Sequence, residues 1–504
     1  MYSHRGGMID EERITIRNAG FLLAQSGFHI VASFLFAVLV PRMMGPGNYG
    51  RYALISSLYL WLVWGSDLGS TQVMGRYVPH FVLEGEKEKL QKFFSNLLAA
   101  SLVTGALCAC MYLLLTSLWL TDLDSILLVT MSAALLLRAA SHPFFTLFLG
   151  LNKAARWGMG EILRHWFLLV LIIIGFYVAS LQGACLGLWL TELIVLCIGA
   201  WWGKSYFSWT ELRLDMHYLT PYLRFGLIFI IFNLLSAAFQ RSGEVLVRLF
   251  YPDYVQVGYF GLANNVYLTI SLVIPQFTIA FAPFMVTLQA QGKTKILRQW
   301  IERLINGLTA GGMFAVFGVL LLGKNLVPLV LGAAYQPVAT NLLPLSITLW
   351  AQVLSSVAIL LTVVCNYPKT AVMAAVVRLA ALWIFGPFLI AKWGSLGGCF
   401  AVLLASAICA AYLTWRMKKV ISYSLRKWAS IIALGFIFLP LLRLQASWPV
   451  NVLLYAVFAA GYCTLLILLR IITFSEAVAV GRAFHSKNTM FTVSKSPGEE
   501  YLDG

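Results

Sequence analysis

Four arginines fall inside long apolar stretches, where an ionised side chain is costly and is retained for a reason: Arg138, Arg224, Arg241 and Arg378. A guanidinium stays charged when desolvated and grips phosphate-like oxyanions with paired donors, so arginines in such places suit the capture of an anion. Arg138 is the sharpest case. It sits mid-stretch in LLLRAASHPFF (135–145), too deep to reach either end of its stretch. His142 follows at i+4 and shares its helical face. The other readings are an interhelix ion pair for Arg138 and a hydrogen-bonded histidine ahead of Pro143 for His142. Arg378 either lines a cavity or pairs with a carboxylate. Arg17, Arg224 and Arg164, the last beside His165, lie near the starts of apolar stretches. Each is read either as a topology anchor or as an anion-capturing residue at a mouth.

A second group mixes signs. Arg241, Glu244 and Arg248 recur at i, i+3 and i+7, which puts them on one stripe of a helix. With Arg42 they form either a salt-bridged external gate or a solvated helix end. Asp67, Glu192 and His29 lie within apolar runs. They are candidates to bind H+ or Na+ if the protein is ion-driven; partners of buried arginines is the other reading. Asn264 and Asn265 either hydrogen-bond hydroxyl groups or glue helices together.

The elements holding these residues are membrane helices. Of 504 residues, 60% are hydrophobic and 11% charged, and mean hydropathy is +0.82. A soluble domain is nearer 25% charged. Apolar runs of roughly 20 residues cross a bilayer as helices, and a barrel would alternate in short segments instead. Fourteen spans are predicted: 18–41, 52–75, 93–119, 125–149, 161–180, 183–203, 222–249, 257–286, 303–323, 340–365, 370–391, 396–415, 428–444 and 448–470. With both termini and the even-numbered loops assigned to the cytoplasm, that side holds 26 of the 36 lysines and arginines. The opposite loops hold six: Arg42, Arg51, Arg248, Lys324, Lys392 and Arg443. A wrong span count would flatten this asymmetry. The net charge of +16 is thus topological, and its scatter through short loops argues against nucleic acid. Met1 to Arg17 is polar, so the first apolar run is expected to remain as a span. The eight cysteines lie in apolar runs without metal-ligand spacing. No P-loop, HExxH or nucleophile elbow is present, so enzyme chemistry has no support, and neither a cofactor nor a metal is expected.

The chain repeats. RMMGPGNYGRYAL (42–54) aligns with YPDYVQVGYFGLAN (251–264), and LEGEKEKLQKFF (83–94) with AQGKTKILRQWI (290–301). The pairs Arg17/Arg224, Gly20/Gly226, Gly50/Gly258 and Gly85/Gly292 are 206 to 208 residues apart. A shift of six spans relates two copies of the same orientation, with a path between them. The expected organisation is a cytoplasmic N-terminus (1–17), an N-lobe of spans 1–6 (18–203), a cytoplasmic linker (204–221) and a C-lobe of spans 7–12 (222–415). An appended pair, spans 13 and 14 (428–470), and a polar, disordered cytoplasmic tail (471–504) complete it.

The Arg–x–x–Gly–Pro–x–x–Tyr–Gly–x–Tyr loop at 42–52, the basic loop after span 2, GLNKAAR (150–156) and LVLGAAYQPVA (329–339) resemble the Wzx-type polysaccharide flippases. These belong to the multidrug/oligosaccharidyl-lipid/polysaccharide (MOP) exporter superfamily, and the resemblance covers about residues 14–470. It implies an all-α membrane protein of two six-helix lobes in a MATE-like V, working by alternating access in the bacterial inner membrane. The implied cargo is an undecaprenyl-diphosphate-linked oligosaccharide moved from the cytoplasmic to the outer leaflet for O-antigen, capsule or exopolysaccharide. Glycosyltransferases and a polysaccharide polymerase are the implied partners. On this reading Arg17, Arg164, Arg224 and Arg138 receive the diphosphate, and the polyprenyl tail stays in membrane lipid between the lobes. The alternatives are a MATE-type cation-coupled drug antiporter, a flippase of the peptidoglycan precursor and, further off, an oligosaccharide polymerase or ligase. The arginine bias of the intramembrane charges disfavours a cationic cargo. External segments of no more than about fifteen residues, set by the span boundaries above, disfavour a polymerase.

Overall fold

The computed structural model describes residues 3–208 and 210–469; side chains are described from residue 25 onward, apart from 26, 209, 225, 228, 279, 280 and 283. The side chain of Arg17 and the tail 471–504 therefore lie outside the described residues. Among the described residues thirteen α-helices run in the order α1 (Ser3–Ser66), α2 (Ser70–Leu83), α3 (Lys87–Trp119), α4 (Ser125–Gly150), α5 (Ala154–Gly203), α6 (Met216–Phe250), α7 (Tyr254–Ser271), α8 (Val273–Ala290), α9 (Thr294–Leu331), α10 (Gln336–Val364), α11 (Pro368–Lys418), α12 (Arg426–Phe436) and α13 (Trp448–Leu468). There is no strand among the described residues. Among the described residues, ten stretches are long and apolar enough to cross a membrane, or eleven if the bent α6 is one span.

Three of these stretches double back. In α1 the break is Gly45 (φ 72°), and beyond it the Phe36 and Tyr52 rings come within 6.3 Å. Sixteen residues of straight helix would separate them by about 24 Å. In α5 the break is at Ala179 and Ser180, where Gly175 and Gly183 pack backbone to backbone so tightly that a Cβ on either would overlap the other's carbonyl oxygen. In α11 the break is Gly394, with Gly397 against the Leu389 carbonyl. Each hairpin supplies two of the spans read from the sequence.

The internal repeat is visible in backbone conformation. The helices ending at Leu83, Gly150, Ala290 and Val364 all stop on a left-handed residue: Gly85 (φ 72°), Asn152 (57°), Gly292 (67°) and Asn366 (60°). Each then makes the same closing hydrogen bond, from the following amide to the carbonyl five residues back: Glu86 to Phe81, Lys153 to Phe148, Lys293 to Leu288 and Tyr367 to Thr362. This is the Schellman stop that glycine and asparagine favour. The tight bends repeat too: Ser180 (φ 51°, ψ −135°) and Gly394 (φ 54°, ψ −129°) adopt one conformation.

That conformation belongs to glycine, and a serine held there stores of order 1–3 kcal/mol of strain. Ser180→Gly is accordingly expected to raise the melting temperature of the purified protein, and Gly394→Ser to lower it. A thermal melt of the two variants reads both signs.

Spans 2 and 8, each predicted as continuous, are broken. Span 2 stops at Ser66 and restarts as α2 at Ser70, with Gly69 left-handed (φ 65°). Span 8 divides into α7 and α8 at Leu272, just ahead of Pro275, which has no amide to close the helical ladder. The breaks occupy corresponding places in the two lobes.

Between the lobes lies the largest apolar core. It is built from Tyr49, Tyr52 and Ile55 of α1, Leu246 and Val247 of α6, Phe260 and Leu262 of α7, and Leu345 and Val353 of α10. A separate cluster attaches α12 and α13 to α9: Phe317 stacks on Phe458 at 3.9 Å, and the Tyr462 hydroxyl donates to the Ile431 carbonyl at 3.1 Å.

Candidate functional site

A cavity of about 620 Å³ opens between the lobes. One wall is N-lobe and densely ionisable: His29 and Asp67 come from α1 and the break after it, Arg138 and His142 from α4, and Glu161, Arg164, His165 and Glu192 from the two arms of α5. The other wall is C-lobe and mostly neutral: Gln240, Arg241 and Glu244 of α6, Asn265 and Thr269 of α7, and Gln352 of α10.

The ionisable wall is wired in two groups. Arg164, 5% exposed, lies 2.6 Å from Glu161, one helical turn earlier. It also lies 3.5 Å from Glu192 on the returning arm of α5. Tyr59 donates to Glu192 at 3.5 Å, and His165 donates its Nδ1 proton to the Glu161 carbonyl at 2.7 Å while its ring meets His29 edge-on at 4.2 Å. Arg164 is thus spent inside the wall as a buried ion pair. The second group caps the break in span 2. The Asp67 Oδ1 accepts from the Ser70 amide at 3.0 Å and from the Ser70 hydroxyl at 2.8 Å. Because that hydroxyl proton is committed, His142 Nδ1 is the donor in its 3.0 Å contact with Ser70 Oγ. Asp67 therefore has a local duty at the start of α2, in keeping with the side-chain caps that open helices.

Arg138 differs from Arg164. It lines the cavity, forms no ion pair among the described residues, and its Nη1 is buried without a hydrogen-bond partner. Guanidinium donors left unmet inside a protein are rare, since desolvation leaves them a cost that only an acceptor offsets. Across the cavity, Arg241 donates to the amide oxygen of Asn265 at 3.0 Å, its one hydrogen bond among the described residues. Asn265 in turn donates to the Tyr49 hydroxyl of the other lobe at 2.9 Å.

The stripe of α6 does not close as one salt bridge. Arg241 and Glu244 line the cavity, with Glu244 accepting from Asn264 at 3.2 Å, while Arg248, two turns on from Arg241, reaches the N-lobe loop and pairs with Asp122 at 3.3 Å. Arg42 donates to the Val330 carbonyl at 3.3 Å. These last two bonds cross between lobes at the end opposite the basic loops. Tyr335 donating to the Pro41 carbonyl at 2.7 Å and Arg51 over the Tyr254 ring at 5.3 Å cross at the same end.

Other expected site residues are placed differently. Arg224 is exposed and does not line the cavity. Asn264 is buried and bonded to the Gln240 carbonyl and Glu244, which makes it a helix-to-helix tie. Arg378 stands behind the C-lobe wall with its guanidinium 3.9 Å over the Phe239 ring, donating to Gln352 at 3.1 Å and to Ser406 at 2.9 Å. No carboxylate pairs with it among the described residues. The sequence reading missed Glu161 and Gln352. Glu161 was signalled by its i, i+3 spacing to Arg164; nothing local marked Gln352.

Residues 15–289 match the sequence profile of a family described as polysaccharide biosynthesis protein. Comparison with curated proteins finds no match. Among solved structures the fold is similar to the lipid II flippase MurJ in an inward closed conformation, with TM-score 0.66 and 14% identity over 90% of this chain and 100% of that one. It is also similar to an inward-facing multidrug resistance MATE family transporter of the MOP superfamily, with TM-score 0.63 and 14% identity over 79% of this chain and 94% of that one. A point mutant of the Vibrio cholerae MATE transporter VcmN gives 0.52 and 13% identity over 81% and 99%.

Proposed function

The chain belongs to the polysaccharide biosynthesis protein family, and from that premise we propose that it flips a polyprenyl-diphosphate-linked oligosaccharide across the bacterial inner membrane by alternating access. Its fold is that of the MOP transporters, a helical protein that spans the membrane many times.

One observation carries the choice of cargo: Arg138 lines the interlobe cavity with a buried, unmatched guanidinium nitrogen. A diphosphate oxygen in the cavity is an acceptor suited to this guanidinium, and the bond is charge-assisted on both sides. Arg241 on the facing wall can hold a second oxygen from its one amide-bonded fork. Asp67, Glu161, Glu192 and Glu244 line the same cavity, so the choice of an anionic cargo rests on Arg138 and not on the cavity's net charge. The basic loops, placed in the cytoplasm by the positive-inside rule, set the side on which the headgroup enters. The interlobe bonds at the other end then form the closed gate, and rocking of the lobes exchanges which end is closed. The polyprenyl tail stays in lipid throughout, because hydrocarbon gains nothing from a polar cavity. The peptidoglycan precursor carries the same diphosphate, so the glycan distinguishes the two flippases. The role is transport and not catalysis.

Extraction and mass analysis of lipid-linked glycans from cells lacking the protein tests this. The expected result is accumulation of one undecaprenyl-diphosphate oligosaccharide on the cytoplasmic leaflet. An unchanged pool, together with new sensitivity to cationic drugs, would overturn it in favour of the antiporter.

A further inference from the structure

The neutral wall holds a side chain whose orientation is fixed from behind. Gln352, on α10, lines the cavity, and its Oε1 accepts from Arg378 Nη2 at 3.1 Å. Arginine has donors and no acceptor, so the oxygen of the amide must face Arg378 and the NH2 must face away. Arg378 cannot easily turn to release it. Its Nη2 also donates to Ser406 at 2.9 Å, and its guanidinium plane lies 3.9 Å from the Phe239 ring centroid. The Gln352 NH2 has one hydrogen-bond partner among the described residues, the Ser356 hydroxyl at 3.4 Å, beyond the usual length of a good hydrogen bond. A neutral NH2 donor is therefore presented to the cavity in a set direction.

Across the cavity stands Arg138, a charged donor. Arg138 and Gln352 thus offer different chemistry to one ligand. An anionic diphosphate gains most from the guanidinium, whereas hydroxyl, ring and acetamido oxygens of a sugar match a neutral amide donor. We infer that Gln352 is a glycan-contacting specificity residue that donates to a sugar oxygen, and that Arg378 is a positioning residue that holds it there without touching the cargo. This rests on the flippase reading of the cavity.

Binding measurements on the purified full-length protein separate the two. The probes are undecaprenyl diphosphate, which has no sugar, and the lipid-linked glycan that accumulates in cells lacking the protein. Gln352→Ala is expected to weaken binding of the glycan-bearing lipid roughly three- to tenfold, the range of one neutral hydrogen bond, and to leave undecaprenyl diphosphate within about twofold. Gln352→Glu should lose at least as much, because a carboxylate held by Arg378 presents only acceptors. Arg378→Ala should repeat the selective loss. The double variant should be no worse than Gln352→Ala alone, and Arg378→Lys, which keeps a donor to the amide oxygen, should recover part of it. Equal loss for both lipids in Gln352→Ala overturns the sugar contact. Additive loss in the double variant, or loss of undecaprenyl diphosphate binding in Arg378→Ala, overturns the positioning role. Failure of the unaltered protein to bind either lipid overturns the flippase reading itself, and this inference with it.

Discussion

Arg138→Ala is expected to weaken binding of undecaprenyl diphosphate by roughly 30- to 1,000-fold and to abolish glycan export, while the melting temperature falls less than that of Arg164→Ala. The binding loss follows from removing a desolvated charged donor from an anion, about 2–4 kcal/mol in comparable pairs. The stability result follows from what Arg138 lacks. Its Nη1 is buried without a hydrogen-bond partner and it forms no ion pair among the described residues, so its desolvation is offset by the longer-range attraction of Glu192 and Glu161 and not by a direct contact. Arg164→Ala is the contrasting variant. It strips Glu161 and Glu192 of their shared cation, and breaking a buried pair in this way costs about 3–5 kcal/mol. The melting temperature should therefore fall. Thermal melts and lipid binding on the two proteins, made at matched levels, read the difference. Normal export by Arg138→Ala would remove the arginine from the path; a melting temperature that fell as far as that of Arg164→Ala would make its role structural.

The contrast between these two arginines also shows where the sequence was legible. Both could be singled out, since a charge in an apolar run is conspicuous wherever it points. The span pattern and the repeat were equally plain. The match of Gly85 to Gly292 reflects a shared left-handed helix stop, and glycine is the residue that such a stop selects. What a charge meets across space was not legible. Glu161 was passed over although it lay one turn from Arg164, and the decisive second partner, Glu192, comes from a returning helix arm. Asp67 was conspicuous as an acid in an apolar run. Its bonds to Ser70 show a cap on a helix break that hydropathy alone smooths over. Arg241 and Glu244 shared a stripe with Arg248 as expected, but two turns of helix carried Arg248 past the cavity to the Asp122 loop. Gln352 had no signal of its own, because its significance lies in the hydrogen bond from Arg378.

Gly50→Val and Gly258→Val are each expected to stop export while the protein is made and inserted at normal levels. These two glycines are repeat mates, and they meet where the lobes close at the end opposite the basic loops. A Cβ at Gly50 would overlap the Tyr254 carbonyl oxygen and lie 2.9 Å from the Gly258 nitrogen, and one at Gly258 would overlap the Pro46 carbonyl oxygen. The colliding atoms are backbone, so no rotamer change relieves them. The strain exists only while this end is shut, and separating the lobes removes it. A substitution that costs the closed form about 3 kcal/mol, the upper end for overpacking, shifts the balance toward the opposite opening by more than 100-fold. Alternating access needs both forms, so a protein held open on one side carries nothing across. The readout is a cysteine placed at Thr269, a cavity-lining site, with the exposed native cysteines replaced. A membrane-impermeant maleimide added from outside should label Thr269→Cys poorly in the otherwise unaltered protein and readily alongside Gly50→Val. Equal labelling in both, with export lost, would mean that the valine had damaged the lobe itself and that closure does not depend on this glycine contact.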